Sequence, residues 1–266
     1  MAATTTTTVL ITGANRGIGK GFIETYLAKP DHIVIAAVRN PNTSGSLTQI
    51  PKAKGSRLIV VKIDATVESD PAKAVEELSS RHSINHLDIV VANAGVCYIW
   101  PTVADVNIDD MLVCMKPNVF GIVWLYQATR HLLNKSNNAK WVTIGSTAGS
   151  IEVSVLTYTP SYISGSRYLQ PGQLSFNNAA YGPTKAAAHW ITKRLNTEEE
   201  KIISFVIHPG WVQTGIGNLG ANNLGMEQAP VSVEESVNGM IRIIDEATKD
   251  THGGTLWEYT GNRYAW

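Results

Sequence analysis

Three glycines near the N-terminus, Gly13, Gly17 and Gly19, sit between an apolar run and an amphipathic stretch. No other feature restricts the fold as much. Val9-Leu10-Ile11 reads as a short buried strand, and Phe22, Ile23, Tyr26 and Leu27 recur at helical spacing. Strand, glycine-rich turn and helix in that order make one βα unit. Gly13 permits the tight turn, Gly17 lets backbone approach a pyrophosphate, and Gly19 allows close helix packing. The helix N-terminus then presents free N–H groups and a positive dipole end to phosphates. Ordinary βα turns also carry glycines, so this element constrains the local fold before it constrains function.

The rest of the chain repeats the alternation. Apolar runs fall at 33–38, 58–63, 88–92, 140–145, 203–208 and 255–258. Helical patterns cover about 18–28, 70–82, 107–134 (as two helices), 180–198 and 232–248. Near-continuous apolar strands separated by helices imply a parallel sheet covered on both faces. The expected fold is α/β, a Rossmann-type doubly wound parallel sheet of about seven strands with right-handed crossovers. A chain of 266 residues suffices for one such domain over 1–266. Lys+Arg and Asp+Glu are both 22, so no net charge draws the chain to nucleic acid or an anionic membrane. No apolar stretch approaches the ~18–20 residues of a spanning helix. The Thr-rich residues 1–8 lack the regions of a signal peptide, and a cytoplasmic location is expected. Cys97 and Cys114 have no metal or redox spacing, and no metal is expected.

Chemistry enters with Tyr181 and Lys185, four apart in Tyr-Gly-Pro-Thr-Lys. That spacing puts both side chains on one helix face, a turn apart. A free Tyr titrates near pH ~10. A lysine cation beside it favours the phenolate, so spacing alone predicts a lowered pKa and a proton donor or acceptor near neutrality. Exposed helices carry Tyr-x-x-x-Lys by chance, so the motif needs company. It has Ser146 upstream, at the end of an apolar run.

Taken together, the chain resembles the short-chain dehydrogenase/reductase family. The resemblance rests on Thr12-Gly13-x-x-x-Gly17-x-Gly19, Asn93-Ala94-Gly95, Asn118 in Asn-Val-Phe-Gly, Ser146, Tyr181/Lys185 and Pro209-Gly210, in the family's order over nearly the whole chain. The ending, Gly-Gly-Thr-Leu-Trp-Glu-Tyr-Thr-Gly with a terminal Trp266, resembles the carbonyl-reductase-like branch, which includes sniffer-type and norsolorinic-acid-type ketoreductases. The resemblance implies a nicotinamide cofactor and a catalytic set of Asn118, Ser146, Tyr181 and Lys185. Tyr181 would protonate a carbonyl oxygen and Lys185 would hold the phenol's pKa down and bind the nicotinamide ribose. Ser146 would hydrogen-bond the same oxygen. Asn118 would bind the backbone of a helix kinked there and anchor a water; a polar residue closing a helix turn is the alternative. The implied cofactor contacts are Thr12, Gly13, Asn15, Arg16, Gly17, Ile18 and Gly19 in the turn, Arg39, Asp64 at the adenine, Asn93, Ala94, Gly95, Tyr181, Lys185, and Pro209, Gly210, Val212 and Thr214. Asp64 reads equally as a residue leading a helix, and His208 as a structural histidine.

Cofactor choice follows from charge. A carboxylate at the end of the second strand would hydrogen-bond the ribose of NAD, whereas basic groups accept the 2′-phosphate of NADP. Here the strand ends Ala-Ala-Val38-Arg39-Asn40 without an acid, and Arg16 lies in the turn. NADPH is therefore expected over NADH. Residues 147–179 break the alternation and place Ser146 unusually far from Tyr181. They read as an ordered insertion capping the site, which favours a monomer over a homodimer. Residues 211–231, rich in Gly and Asn, read as a substrate lid. Tyr98, Trp100 and Trp211 suggest a bulky or aromatic carbonyl substrate, with a polyketide-type ketone as the analogy. An NADP(H)-binding sensor without turnover is the rival class.

Overall fold

The N-terminal apolar run becomes strand β1 (Thr7–Thr12), at the interior of an eight-stranded sheet in the computed structural model, which describes residues 6–151 and 177–266. The chain continues through α1 (Gly17–Leu27), β2 (His32–Val38), the short α2 (Gly45–Thr48), β3 (Arg57–Lys62), α3 (Asp70–His82), β4 (Ile89–Ala92), α4 (Ile108–Met115), α5 (Gly121–Leu133) and β5 (Lys140–Ile144). It ends with α6 (Gly182–Glu198), β6 (Ile203–His208), α7 (Gly215–Asn223), α8 (Val233–Glu246), the short α9 (Lys249–His252), β7 (Leu256–Glu258) and β8 (Arg263–Tyr264). The strand order is β3-β2-β1-β4-β5-β6-β7-β8, with every pair parallel except β7–β8. The sheet thus has one strand more than the expected seven or so. The added β8 pairs Tyr264 with Leu256 and Arg263 with Trp257. Two residues are too few to show a period-2 pattern, so sequence reading passed over it.

The strands read as unbroken apolar runs because both faces are buried. Successive side chains of β1 alternate between two cores. Val9 and Ile11 join Phe22 and Tyr26 of α1 and Met240 of α8, while Leu10 joins Leu78 of α3, Leu125 of α5 and Trp141. The expected two helices over 107–134 are α4 and α5, joined by a wider π-type turn at Lys116–Phe120. Pro117 has no N–H to donate there, which helps break the regular ladder. Helix α6 is fixed at its far end by Lys249, whose Nζ donates to the carbonyls of Asn196 (2.8 Å), Glu199 (2.6 Å) and Ile202 (2.9 Å). A cation at that end also meets the negative pole of the helix dipole.

Two irregular segments were singled out above. Of 147–179, Thr147–Gly149 form a single tight helical turn, and the expected cap falls mostly on 152–176, outside the described residues. The segment 211–231 holds helix α7 on a pinned base. Val212 and Val231 form a parallel bridge, with Gln213 N donating to Val231 O (2.8 Å) and Val231 N to Trp211 O (3.0 Å).

Candidate active site

The sheet order reverses between β1 and β4. The first three strands build outward to one side and the remaining strands to the other, so the crevice at the carboxyl ends of β1 and β4 is the place for a ligand in an open α/β sheet. The chain locks that edge with its own groups. Thr12 Oγ1 accepts from the backbone N–H groups of Asn93 and Ala94, both at 3.0 Å, and Asn93 Nδ2 donates to Thr12 O at 2.8 Å. Gly13 (φ 64°) and Gly17 (φ 52°) occupy the left-handed region. At Gly19 a Cβ would stand 2.2 Å from Gly13 O and 2.7 Å from Asn93 Nδ2, so only glycine fits. Thr214 comes from beyond β6 to the same turn, where a Cβ on Gly17 would lie 3.1 Å from its Cγ2.

Helix α1 begins after Arg16, which makes no side-chain cap, and its first turn carries no acid. Its leading N–H groups are therefore left for an anion. Asn15, Arg16 and Arg39 are exposed, and neither arginine forms an ion pair among the described residues. Ile18 packs against the core. Asp64 Oδ1 accepts from Thr66 N (2.9 Å) and Thr66 Oγ1 (2.7 Å), so its carboxylate closes a turn. An uncapped helix start, glycines without room for side chains and two uncommitted guanidinium groups fit a phosphate-bearing dinucleotide.

Beyond β4, Gly95 lies between two of the expected catalytic residues: a Cβ there would be 3.2 Å from Asn118 Oδ1 and 3.8 Å from Lys185 Nζ. The Asn118 amide is fully oriented. Its Oδ1 accepts from Val96 N (2.8 Å), and its Nδ2 donates to Val96 O (2.9 Å) and Thr184 Oγ1 (3.0 Å). It thereby ties the loop after β4 to α6, instead of binding the backbone of its own helix. Pro209 O accepts from Ser236 Oγ (2.6 Å), Gly210 turns at φ 80° against Tyr259, and Val212 is buried at the bridge to Val231.

Ser146 follows β5. Its N–H donates to His189 Nε2 at 3.3 Å, and its hydroxyl accepts from Ala148 N at 3.2 Å. Gly149 lets this turn press onto α6, since a Cβ there would be 2.6 Å from Ala186 N. Tyr181 stands at the start of α6, with Pro183 preset for the first turn. Lys185 N donates to Tyr181 O at 3.2 Å, so the two residues do stand one turn apart. Lys185 is buried, donates from Nζ to Ile144 O at 2.8 Å, and lies 5.6 Å from the Tyr181 ring centroid.

The electrostatics differ from the expectation drawn from spacing. Burial pushes the Tyr181 phenol up, with the neighbouring Cys97 adding to the rise and the Ser146 hydrogen bond opposing it. Burial also lowers Lys185 to about 8. Desolvation disfavours the charged form of each group and is the largest cause of both shifts. Burial likewise pushes the Cys97 thiol up to about 12. His189 and His208 are lowered to about 3 and about 4, chiefly by burial, and are neutral at pH 7. Neither ring nitrogen of His208 has a hydrogen-bond partner among the described residues. Sequence reading missed Thr184 and His189, which position Asn118 and Ser146 from 66 and 43 residues away. Only the motif Tyr-x-x-x-Lys, marking α6 as the site helix, hinted at them.

Residues 7–161 match the family model described as short chain dehydrogenase. The chain is 41% identical over 265 residues to a norsolorinic acid ketoreductase of Dothistroma septosporum, covering 98% of this chain and 92% of that one. It is 36% identical over 263 residues to the norsolorinic acid ketoreductase of Aspergillus parasiticus, covering 98% and 91%. Among solved structures, an NADPH-bound carbonyl reductase from chicken fatty liver superposes with a TM-score of 0.79 at 27% identity, covering 98% of this chain and 100% of that one. The chain belongs to the short-chain dehydrogenase family and is an oxidoreductase of the carbonyl-reductase type.

Proposed function

We propose that this chain is an NADPH-dependent reductase of ketones or aldehydes, with Tyr181 as the proton donor. The observation that carries the reading is Lys185, buried one turn along α6 from Tyr181 with its Nζ 5.6 Å from the Tyr181 ring centroid, at the same sheet edge as Ser146 and the glycine turn. When bound, the dihydronicotinamide supplies the hydride to the carbonyl carbon. Tyr181 gives its proton to the carbonyl oxygen, yielding the alcohol. Its raised pKa keeps the phenol protonated at neutral pH, as a donor requires. Ser146 donates a hydrogen bond to the same oxygen and stabilises the charge that develops there. Lys185, with a pKa of about 8, is mostly charged at neutral pH and stabilises the phenolate left behind. Asn118 is a positioning residue that holds Val96 and Thr184. Arg16 and Arg39 receive the 2′-phosphate of NADPH, which supports the preference over NADH. The aromatic residues around Tyr181, with the ketoreductase relatives, favour a flat, bulky ketone.

The test is NADPH consumption with 9-fluorenone, menadione and short aliphatic aldehydes, run beside NADPH binding. Consumption with a ketone is the expected result. Tight NADPH binding without consumption of any carbonyl would overturn the reading in favour of a nucleotide sensor.

A further inference from the structure

The step of four that joins Tyr181 to Lys185 continues along α6 to His189 and then Lys193. Each step is one turn on and drifts about 40° round the helix, so the stripe passes from buried Lys185 and His189 to exposed Lys193. His189 is the member that meets the strand end. Its Nε2 accepts from Ser146 N at 3.3 Å. A Cβ on Gly145 would stand 2.5 Å from that nitrogen and 2.3 Å from Val206 Cγ1, so only a glycine before Ser146 admits the imidazole. Burial, helped by Lys185 and His208, keeps the ring neutral at pH 7. An accepting Nε2 carries no proton, so the neutral ring holds its proton on Nδ1.

The same imidazole is met from a distant part of the chain. Trp266 lies two residues beyond β8, whose pairing with β7 returns the backbone along the sheet margin. Its ring centroid is 5.9 Å from that of His189, tilted by 58°, within the range of an aromatic pair. Lys193 Nζ lies 4.7 Å from the same indole centroid, a cation–π contact. The indole is thus held by the exposed cation of the stripe and packs on its buried imidazole. Ser146, His189, Trp266 and Lys193 form one chain of contacts, running from the strand end to the surface of α6.

We propose that Trp266 is a remote positioning residue for Ser146: held by Lys193, it keeps the His189 ring at the Ser146 N–H and so fixes where the Ser146 hydroxyl stands. The proposal rests on the reductase reading for what that hydroxyl does; the placement of Ser146 can be measured without it. Trp266 acts only through His189 and is no catalytic residue. Its effect on rate comes from geometry, and a misplacement of about 1 Å at a reacting group can slow a reaction by about 10²-fold.

The experiment follows hydrogen exchange at the Ser146 amide by NMR, in the full chain isotope-labelled on serine, with the resonance assigned by its loss in Ser146→Ala. Trp266→Ala should speed that exchange by about tenfold or more, and Trp266→Phe, which keeps a ring for both contacts, should stay within about threefold of the parent. In single-turnover reduction of 9-fluorenone at saturating NADPH, Trp266→Ala should be about tenfold slower while the Kd for NADPH is unchanged. Added to Ser146→Ala, the same substitution should cost nothing further, because the group it positions is already gone. Unchanged exchange in Trp266→Ala, or equal slowing with and without Ser146, would overturn the proposal. If Trp266→Ala does not fold, Lys193→Gln on the exposed face takes its place, with exchange about two- to fivefold faster expected and unchanged exchange counting against the proposal. If the parent reduces no carbonyl, the reductase reading fails, and the exchange measurement alone decides whether Trp266 holds Ser146.

Discussion

The glycine turn and the Ser146–Tyr181–Lys185 wall lie along one carboxyl edge of the sheet, yet opposite forces hold them. The turn is settled by sterics and neutral hydrogen bonds. Gly19 has no space for a Cβ, and Thr12 and Asn93 satisfy each other and the adjoining backbone. In the Ser146–Tyr181–Lys185 wall, burial works against the charge on Lys185 and against ionisation of Tyr181. The fold tolerates that cost because the ammonium keeps Ile144 O as a partner. A turn held by sterics can thus be a stable element, while a wall of buried titratable groups holds them away from their preferred state, as proposed proton-transfer sites do.

Substitutions that remove one force without the other break this contrast most directly. Lys185→Met should cut kcat/KM for ketone reduction by about 10²–10³-fold. It should leave thermal stability equal or higher, because a buried charge is replaced by an apolar chain of similar length. Steady-state kinetics and a melting curve on one preparation check both halves. A large loss of Tm would show that Lys185 holds the fold together. Gly19→Ala should do the reverse: a stability loss of about 2–3 kcal/mol by chemical denaturation, from overpacking against Gly13 O. Gly45→Ala, where a Cβ meets nothing within 4 Å, is the control. Equal midpoints for the two alanine variants would contradict the steric account of the turn.

These paired effects also show what could be read in the chain without coordinates. The turn was legible because its constraints are local: Gly13, Gly17 and Gly19 act on backbone within a few residues. The seven parallel strands were legible because two-sided burial leaves apolar runs. No helix was expected at α7, inside the stretch read as a lid, since its glycines outweigh its helix formers; the Thr214 cap and the Val212–Val231 bridge that sustain it are tertiary or sit outside the run. The position of Lys185 beside Tyr181 followed from spacing, but the direction of the phenol's shift did not. Desolvation depends on what the fold packs around the pair, and no interval between residues reports it. The same holds for Thr184 and His189, which meet Asn118 and Ser146 only after the loops fold over α6.

Two smaller effects sharpen the comparison. Arg39→Asp should lower the NADPH/NADH ratio of kcat/KM at least about tenfold, as loss of a charge-assisted bond worth about 1.5–3 kcal/mol implies. An unchanged ratio would place that guanidinium in solvent. The pH profile reports the wall alone. Lys185 has a depressed pKa, so it is charged below about 8 and neutral above. If the cation is needed, kcat/KM for reduction should be level up to about pH 8 and then fall by about tenfold per unit. At half a unit above that pKa the loss is only about threefold to fourfold. A profile level well into the alkaline range would show that the charge on Lys185 is dispensable.

The proposed role of Tyr181 as proton donor is tested by Tyr181→Phe, which keeps the ring against Trp100 and removes the hydroxyl. With saturating NADPH, single-turnover reduction of an aromatic ketone should slow by about 10²–10⁴-fold, while the Kd for NADPH stays that of the parent. A phenylalanine variant that reduces the ketone at close to the parental rate would contradict the assignment of Tyr181 as the acid.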